Sequence, residues 1–133
     1  MPLQCVVVTP ERALLDETVD FVVLPIYDGE LGVLPGRAAL IGRLGYGELR
    51  IRRGQDTRRF YVDAGFAQVK ADVVTVLTPR ALKAEEIDRT AAEQALEAAH
   101  AGRTSPEERL KAEAQGRAQL RIARQREHGP NPV

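Results

Sequence analysis

Residues 73–100 read VVTVLTPRALKAEEIDRTAAEQALEAAH, and the change of composition within this stretch decides the fold. Valine and threonine at its start favour strands, whereas alanine, glutamate and leucine at its end favour helices. The contrast holds along the whole chain of 133 residues, because all three tyrosines and all three phenylalanines precede Arg80 while alanines concentrate after it. The sequence therefore predicts an α+β protein in two parts, a β-sandwich over residues 1–82 and helices over residues 83–133.

The composition is that of an ordinary globular domain, with 44% hydrophobic and 29% charged residues. Nineteen basic residues balance nineteen acidic ones, so the chain offers no general attraction to nucleic acid or to an anionic bilayer. A single cysteine excludes an internal disulfide, and no apolar run approaches the roughly 18–20 residues of a membrane span. Because the N-terminus lacks a signal-peptide pattern, we expect a cytosolic protein that meets a membrane only through a partner.

Residues 1–82 alternate between short strand-forming runs and turn signals, a pattern typical of an antiparallel sandwich or barrel. Leu49 and Ile51 alternate with Arg50 and Arg52, which points one pair inward and the other pair to solvent. Helical crossovers do not fit between such short runs, so we expect antiparallel pairing. The predicted strands are 3–8, 19–24, 31–34, 38–44, 48–52, 59–62, 66–70 and 73–77.

Glycines and polar residues mark the turns between these strands. Residues 54–56 and the pair Ala71-Asp72 are typical of hairpin turns, the second with a loop of two residues. Gly42, Gly45 and Gly47 lack the spacing of a phosphate-binding loop and do not lead into a helix. We therefore interpret these three as turn glycines.

Start signals predict two helices after residue 83. Asp88 is a suitable N-cap for the first helix, which continues to about His100 and ends at Gly102. Ser105 and Pro106 then supply an N-cap and a proline at the first helical position, followed by a capping-box glutamate, so we expect an antiparallel helix hairpin. The apolar stripes at helical spacing are Ala92, Ala95, Leu96 and Ala99 in the first helix and Leu110, Ala114, Ala118 and Ile122 in the second.

These two stripes consist mostly of alanine, which lets the helix axes approach closely but buries little apolar surface. Gly116 lowers the stability of the second helix by roughly 1 kcal/mol relative to alanine. We therefore expect the hairpin to be a detachable or mobile element of the protein.

The side chains that usually carry catalysis or bind metals are few. His100, His128 and Cys5 are not grouped as metal ligands, so we predict no metal site and no cofactor. Ser105 is the only serine, and its cap position explains it better than a role as nucleophile does. The sequence favours a non-enzymatic protein, and the alternative is a small β-sandwich ligand-binding protein or enzyme with an accessory helical hairpin.

Arginines are the most prominent charges of the chain. Near the end of the second helix, four of them follow one another without an intervening acidic residue. They suit a solvated helix end, where cations meet the negative end of the helix dipole, or a clamp for acidic side chains of another protein. The arginine pairs 52–53 and 58–59 are expected at a solvated strand edge. The four helical arginines are Arg117, Arg121, Arg124 and Arg126.

Three segments, DGELGVLPGRA at 28–38, YVDAGFA at 61–67 and EEID at 85–88, resemble the epsilon subunit of F-type ATP synthase. The resemblance implies a β-sandwich with a C-terminal helix hairpin. It also implies a non-catalytic rotor subunit of the central stalk, which couples the gamma subunit to the c-ring and modulates ATP hydrolysis. The implied place is the F1 sector of a proton-translocating enzyme, peripheral to the cytoplasmic face of the plasma membrane.

The resemblance further implies that residues 28–37 face the rotor partners. Glycines and a proline shape an exposed turn that another protein can approach closely. Related sequences commonly read Gly-His-Ala-Pro-Leu where this chain has Gly-Arg-Ala-Ala-Leu at 36–40, so detailed contacts differ there. The implied rotor-contact residues are Asp28, Gly29, Glu30, Leu31, Gly32, Val33, Leu34, Pro35, Gly36 and Arg37.

The hairpin carries the other two groups of implied site residues. Ile87 and Asp88 match the start of a nucleotide-binding pattern, but Ala91 stands at its arginine position. A major cationic contact for phosphate is therefore missing, and we expect weak ATP binding or none. The implied regulatory residues, which would meet acidic side chains of the catalytic alpha and beta subunits, are Arg117, Arg121 and Arg124.

Overall fold

A computed structural model describes residues 2–101 and 105–127, with side chains described up to Gln125. A β-sheet part is followed by two helices, so the predicted fold class is confirmed. Within this described part, neither helix is both long and apolar enough to cross a membrane. The elements are β1 Leu3–Val8, β2 Ala13–Val19, β3 Phe21–Ile26, β4 Gly29–Val33, β5 Leu40–Arg53, β6 Asp56–Lys70, β7 Val73–Leu77, β8 Ala81–Lys83, a 3-10 turn Ala84–Glu86, α1 Arg89–His100 and α2 Pro106–Glu127.

Two long strands join the layers of the sandwich. β5 and β6 contain 14 and 15 residues, and each has different neighbours along its two halves. The second half of β6 pairs with β7, which continues to β1 and β2, whereas the first half of β6 pairs with β8. β3 and β4 extend the layer that contains the second half of β5. The order is β2-β1-β7-β6-β5-β3-β4, with β8 beside β6.

β6 bends from one layer into the other at two residues with left-handed backbone angles, Ala64 (φ 64°) and Gly65 (φ 112°). A Cβ atom on Gly65 would lie 2.1 Å from the carbonyl oxygen of Leu77, so this position requires glycine. The prediction of separate strands at 59–62 and 66–70 is wrong. The pairing with β5 keeps one register on both sides of the bend, and β6 is a single strand.

The glycines of β5 lie where β3 comes close. A Cβ atom on Gly45 would be 3.2 Å from the Cα atom of Tyr27, and one on Gly47 would be 2.8 Å from the side chain of Pro25. The interpretation of these residues as turn glycines is therefore wrong, because β5 runs through them without a break. Glycine is common both in turns and where two backbones approach closely, and the local sequence does not separate the two cases.

The hairpin turn at Ala71 and Asp72 is confirmed, with φ angles of 51° and 62° that are typical of a two-residue type I′ turn. One pairing departs from the antiparallel expectation, because β1 and β7 are parallel. No short hairpin joins these two strands, so no turn dictates their direction. β2 and β8 are not among the predicted strands. In β2 only Leu15 and Val19 are buried, which weakens the apolar signal of a strand.

Branched aliphatic side chains fill the space between the two layers. Each strand from β1 to β7 contributes to this cluster, which we call the sandwich core. Leu49 and Ile51 are at most 1% exposed, while Arg50 between them is only partly buried, so the predicted inward-facing pair is confirmed. The sandwich core is continuous through both layers and forms without any residue of the helices.

Both predicted helix starts are confirmed. The carboxylate of Asp88 accepts a hydrogen bond from the N–H of Ala91 at 3.1 Å, and the hydroxyl of Ser105 accepts one from the N–H of Glu108 at 3.2 Å. These bonds satisfy amides that have no partner inside their own helices. The predicted stop at Gly102 lies outside the described residues.

The two helices pack against each other in antiparallel orientation. A Cβ atom on Gly116 would lie 3.2 Å from the Cβ atom of Leu96, so the glycine lets α1 approach α2 closely. His100, the last residue of α1, has its Nε2 atom 3.5 Å from Oε1 of Glu113. α2 therefore begins beyond the end of α1. Leu110 is 65% exposed for this reason, and its predicted place in an apolar stripe is wrong.

Candidate functional site

The predicted rotor-contact segment, residues 28–37, consists of two turns joined by an edge strand. Asp28 lies in the turn between β3 and β4, and residues 34–37 lead from β4 towards β5. Val33 is fully buried in the sandwich core, whereas Leu34 is 56% exposed. The other residues of the segment are exposed, apart from Leu31, which is half-buried. The structure thus brings most of these residues to the surface but uses Val33 for packing.

Contacts with neighbouring strands hold this segment in shape. The N–H of Gly36 donates to Oδ1 of Asp72 at 2.8 Å, which ties the second turn to the turn between β6 and β7. Gly36 has a left-handed φ of 85°, a conformation that favours glycine. Nη1 of Arg50 on β5 donates to Oε2 of Glu30 on β4 at 2.9 Å, so this bond links the two strands across β3. The two turns therefore have a defined shape before any partner binds.

A second exposed surface, which the sequence analysis missed, is apolar. Ile41, Phe66 and Leu77 project from β5, β6 and β7 and are 76%, 57% and 51% exposed. Contiguous apolar surface of this kind is typical of a protein contact. β7 reads VVTVL, with apolar residues on both faces, and this pattern is the feature of the sequence that could have predicted the exposed surface. A groove of about 460 Å³, here called the apolar groove, is lined by Val8, Thr9, Pro10, Gly65, Phe66, Leu77, Thr78 and Pro79.

A buried cluster of charges lies between β5, β6 and α2. Glu48 is 5% exposed and accepts hydrogen bonds from Arg59 at 2.8 Å and from Arg50 at 3.2 Å. Among the described residues, Oε2 of Glu48 has no hydrogen-bond partner. The predicted solvated edge is wrong at Arg59, whose side chain is 10% exposed and bonded to Gln125 of α2. The cluster is not predictable from local sequence, because the helix that covers it is distant in sequence.

The hairpin lies against the sandwich through α2. Ile122 and Ala123 are fully buried in a second apolar cluster, here called the hairpin interface. Its sandwich side is supplied by Tyr61 of β6, which is fully buried, and by residues after β8. The structure therefore shows the hairpin in a docked conformation. The buried residues of the hairpin interface are Tyr61, Ala84, Ile87, Ala118, Ile122 and Ala123.

The predicted regulatory arginines all lie on the exposed side of α2. Arg117 has a side chain that is 65% exposed, and its Nη2 atom lies 3.5 Å from Oε2 of Glu113, one helical turn earlier. Arg121 and Arg124 are also exposed, and Arg121 lines a cavity of about 460 Å³ shared with β5. The side chain of Arg126 lies outside the described residues. The docked hairpin thus presents three arginines at its surface.

The residues of the nucleotide-binding pattern have structural roles in the docked hairpin. Ile87 is buried in the hairpin interface, and the Asp88 carboxylate caps α1. A cavity of about 350 Å³ next to them is lined by Ala91, Arg80 and Glu86 as well as Asp88. One arginine thus faces two carboxylates among the described lining residues. This balance of charge disfavours a triphosphate.

Titratable side chains do not converge on a catalytic or metal site in the described part of the chain. Residues 2–101 and 105–127 contain no group of three or more His, Cys, Asp or Glu side chains that could hold a metal ion. Cys5 is fully buried, and burial raises the pKa of its thiol to about 12. The thiol is therefore a protonated core side chain. His128 lies outside the described residues.

The sequence has clear relatives. Residues 2–84 match the family described as ATP synthase, Delta/Epsilon chain, beta-sandwich domain. An ATP synthase epsilon chain from Rhodopirellula baltica is 56% identical over 92 residues, which make up 69% of this chain and 72% of that relative. Another from Granulibacter bethesdensis is 46% identical over 89 residues, which make up 66% of each chain.

Solved structures share the fold over nearly the whole chain. A chain in Euglena gracilis mitochondrial ATP synthase, solved with OSCP, F1 and the c-ring, matches 96% of this chain and 80% of its own length, with a TM-score of 0.72 and 29% identity. A chain in the central stalk and c-ring of Tetrahymena thermophila mitochondrial ATP synthase matches 95% of this chain and 96% of its own length, with a TM-score of 0.62 and 13% identity, which shows a shared fold. The predicted resemblance is confirmed, and the chain belongs to the delta/epsilon chain family of ATP synthase.

Proposed function

We propose that this chain is the epsilon subunit of a proton-translocating F-type ATP synthase. It is a non-catalytic component of the central stalk, and ATP is made or hydrolysed on other subunits. The sandwich, residues 1–82, couples the gamma subunit to the c-ring, and the hairpin, residues 83–133, modulates hydrolysis. The chain reaches the cytoplasmic face of the plasma membrane only as part of the F1 sector. The observation that carries the proposal is a sandwich with its own core, an exposed apolar groove and a separately packed hairpin.

The apolar groove is the proposed contact with gamma. Phe66 and Leu77 are more than half exposed although they lie on central strands of the sheet, and water is a poor environment for such side chains. Burial against an apolar face of gamma removes this surface from water. The two turns at 28–37, which are polar and glycine-rich, are the proposed contact with the c-ring. Strand β4 and the Gly36–Asp72 hydrogen bond keep them in position for that contact.

The hairpin is the proposed regulator of hydrolysis. When α2 leaves the sandwich and extends, Arg117, Arg121 and Arg124 meet acidic side chains of the alpha and beta subunits. Each exposed ion pair contributes about 0–1 kcal/mol, so the three act cumulatively. The two conformations are close in free energy because the hairpin interface is small and rich in alanine.

The gamma contact is tested by copurification of gamma with variants of the isolated chain. The double variant Phe66→Ser with Leu77→Ser removes the exposed apolar groups of the groove, and we expect gamma binding to weaken at least tenfold. Val73→Ser is the matched control, since Val73 lies on the same strand β7 and is 38% exposed but does not line the groove. Equal gamma binding by the double variant and the wild type would contradict the assignment.

The regulatory role is tested by ATP hydrolysis in the reconstituted complex. Full-length chain, a variant with Arg117, Arg121 and Arg124 changed to alanine, and a chain of residues 1–82 are compared after assembly is verified. We expect faster hydrolysis with both altered chains, and a smaller difference at high salt because salt screens ion pairs. A variant with Arg109→Ala and Lys111→Ala lowers the charge at the other end of α2 and serves as control. Matching rates for all four chains would reject the regulatory role and leave the coupling role intact.

A further inference from the structure

Three alternate residues of β6 face α2. Arg59, Tyr61 and Asp63 share one face of the strand, because side chains alternate between the two faces. Arg59 and Asp63 form hydrogen bonds with glutamines of α2, and Tyr61 interacts with a third glutamine of that helix. The strand and the helix run in opposite directions. The three glutamines, in the order that matches Asp63, Tyr61 and Arg59, are Gln115, Gln119 and Gln125.

The strongest of these contacts centres on Asp63. Nε2 of Gln115 donates to Oδ1 of Asp63 at 2.7 Å, and the phenol of Tyr61 donates to the same oxygen at 2.8 Å. Tyr61 is fully buried, and its burial, followed by the nearby Asp63 carboxylate, raises the pKa of the phenol. The phenol therefore remains a donor, and one oxygen of Asp63 accepts a bond from α2 and a bond from within β6.

The other two contacts continue the same row. The phenol oxygen of Tyr61 also interacts with Gln119, and Nη1 of Arg59 donates to Oε1 of Gln125 at 3.3 Å. From residue 59 to residue 63 a strand spans roughly 13 Å, and from residue 115 to residue 125 a helix spans roughly 15 Å. The spacings of strand and helix match, so all three contacts form together in one register.

The alanines of the hairpin interface do not by themselves select this register. Ala84, Ala118 and Ala123 are small and similar in shape, and contacts between such side chains tolerate sliding by one helical turn. A helix shifted by one turn would break the Gln115–Asp63 and Gln125–Arg59 hydrogen bonds and would move Ile122 from its buried position. The polar row and Ile122 therefore select the register together.

We propose that Gln115, Gln119 and Gln125 form a latch that sets the docked register of the hairpin on β6, with the Gln115–Asp63 bond as its release point. The significance of the latch rests on the proposed function, in which the hairpin must leave the sandwich to act. When the hairpin leaves the sandwich, neither Tyr61 nor Asp63 is buried without a hydrogen-bond partner. Their mutual hydrogen bond on β6 remains, and both side chains become exposed to water. The same bonds thus make docking specific and undocking reversible.

The test is amide hydrogen exchange of the isolated full chain. Gln115→Leu removes the amide and keeps a similar size and helix propensity. We expect the amides of α2 to exchange roughly tenfold faster while those of the sandwich core are unchanged. Gln94→Leu is the matched control, since Gln94 is an exposed glutamine of α1. Unchanged or slower exchange of α2 in Gln115→Leu would overturn the latch.

A double-variant cycle separates a specific bond from a general loss of packing. Asp63→Ala and Gln115→Leu are combined, and we expect the double variant to exchange no faster than the faster single variant. Fully additive effects would overturn the pairing. Gln115→Leu alters no strand, so the first comparison remains decisive if Asp63→Ala destabilises the sandwich as well.

Failure of the latch and failure of the proposed function give different results. Hydrogen exchange is measured without other subunits and reports only docking. In the complex, Gln115→Leu releases the hairpin, so the proposed function expects slower ATP hydrolysis than with Gln94→Leu. Faster exchange together with unchanged hydrolysis supports the latch and overturns the regulatory role.

Discussion

The sandwich core and the hairpin interface are both buried, but they differ in what fills them. The sandwich core takes large branched side chains from seven strands, so many contacts across two layers must break together. The hairpin interface contains one large aliphatic residue of α2, Ile122, among alanines, and a row of hydrogen bonds beside it. Buried apolar area contributes about 25 cal/mol per Å², so the second contact is the weaker one. The sandwich and the hairpin thus differ in how strongly their buried contacts hold them.

The substitution expected to lower the stability most is at the bend of β6 that joins the two layers. Gly65→Ala places a Cβ atom 2.1 Å from the Leu77 carbonyl oxygen at a φ of 112°, so either β6 or β7 must move. We expect a loss of more than about 4 kcal/mol in the free energy of unfolding, measured by urea denaturation. Gly54→Ala is the control, because its φ of 62° costs roughly 1–2 kcal/mol while no atom lies within 4 Å. Similar losses for both variants would contradict the steric role of Gly65.

Two truncations compare the two buried regions directly. Leu49 and Ile122 are both fully buried, and each change to alanine removes a large aliphatic group worth about 2–5 kcal/mol. Leu49→Ala should lower the stability of the whole chain in one cooperative transition. Ile122→Ala should undock the hairpin, seen as faster amide exchange in α2, and leave the unfolding midpoint of the sandwich nearly unchanged. A single transition lowered equally by both changes would show that the two regions are one cooperative unit.

A smaller effect is expected from ATP on the isolated chain. Ala91 lines the cavity beside Asp88 and Glu86 without the guanidinium of the nucleotide-binding pattern. At a ligand concentration equal to the dissociation constant, binding adds only about 0.4 kcal/mol, so we expect no thermal shift at millimolar ATP. Ala91→Arg restores the cation at an exposed position and should produce a measurable shift. A clear shift for the unaltered chain, reproduced by equilibrium dialysis, would mean that another arginine supplies the contact.

The smallest expected effect on stability comes from ionisation of the Cys5 thiol. The reactivity of this thiol depends on the sandwich core alone. Burial raises the pKa of its thiol from 9.0 to about 12, so the folded state favours the protonated form. This contribution to stability is complete below pH 9 and is lost as the pH rises towards 12. At pH 8, alkylation should be slow in the native chain and should accelerate in urea as the sandwich unfolds. Ile122→Ala should leave this rate unchanged, and rapid labelling of the native chain would contradict the buried position.

The sandwich also shows why the strand prediction was partly right. β1 and β7 were predicted with the observed bounds, because valine-rich runs and the Ala71-Asp72 turn are local signals. The breaks predicted inside β5 and β6 were wrong, because Gly45 and Gly65 serve contacts with residues distant in sequence. The parallel pairing of β1 with β7 likewise depends on how the two layers pack together, and no turn between these strands specifies their direction.

For the candidate site, the sequence by itself determined the helix caps at Asp88 and Ser105, the exposed arginines of α2 and the glycine-rich segment at 28–37. Such features depend on residues within about four positions of one another, so they can be predicted from the sequence alone. Only the tertiary structure decided the apolar groove, the buried Glu48 cluster and the row of bonds from β6 to α2. Burial and hydrogen bonding there join residues up to 66 positions apart, and the free energy of each group depends on what covers it.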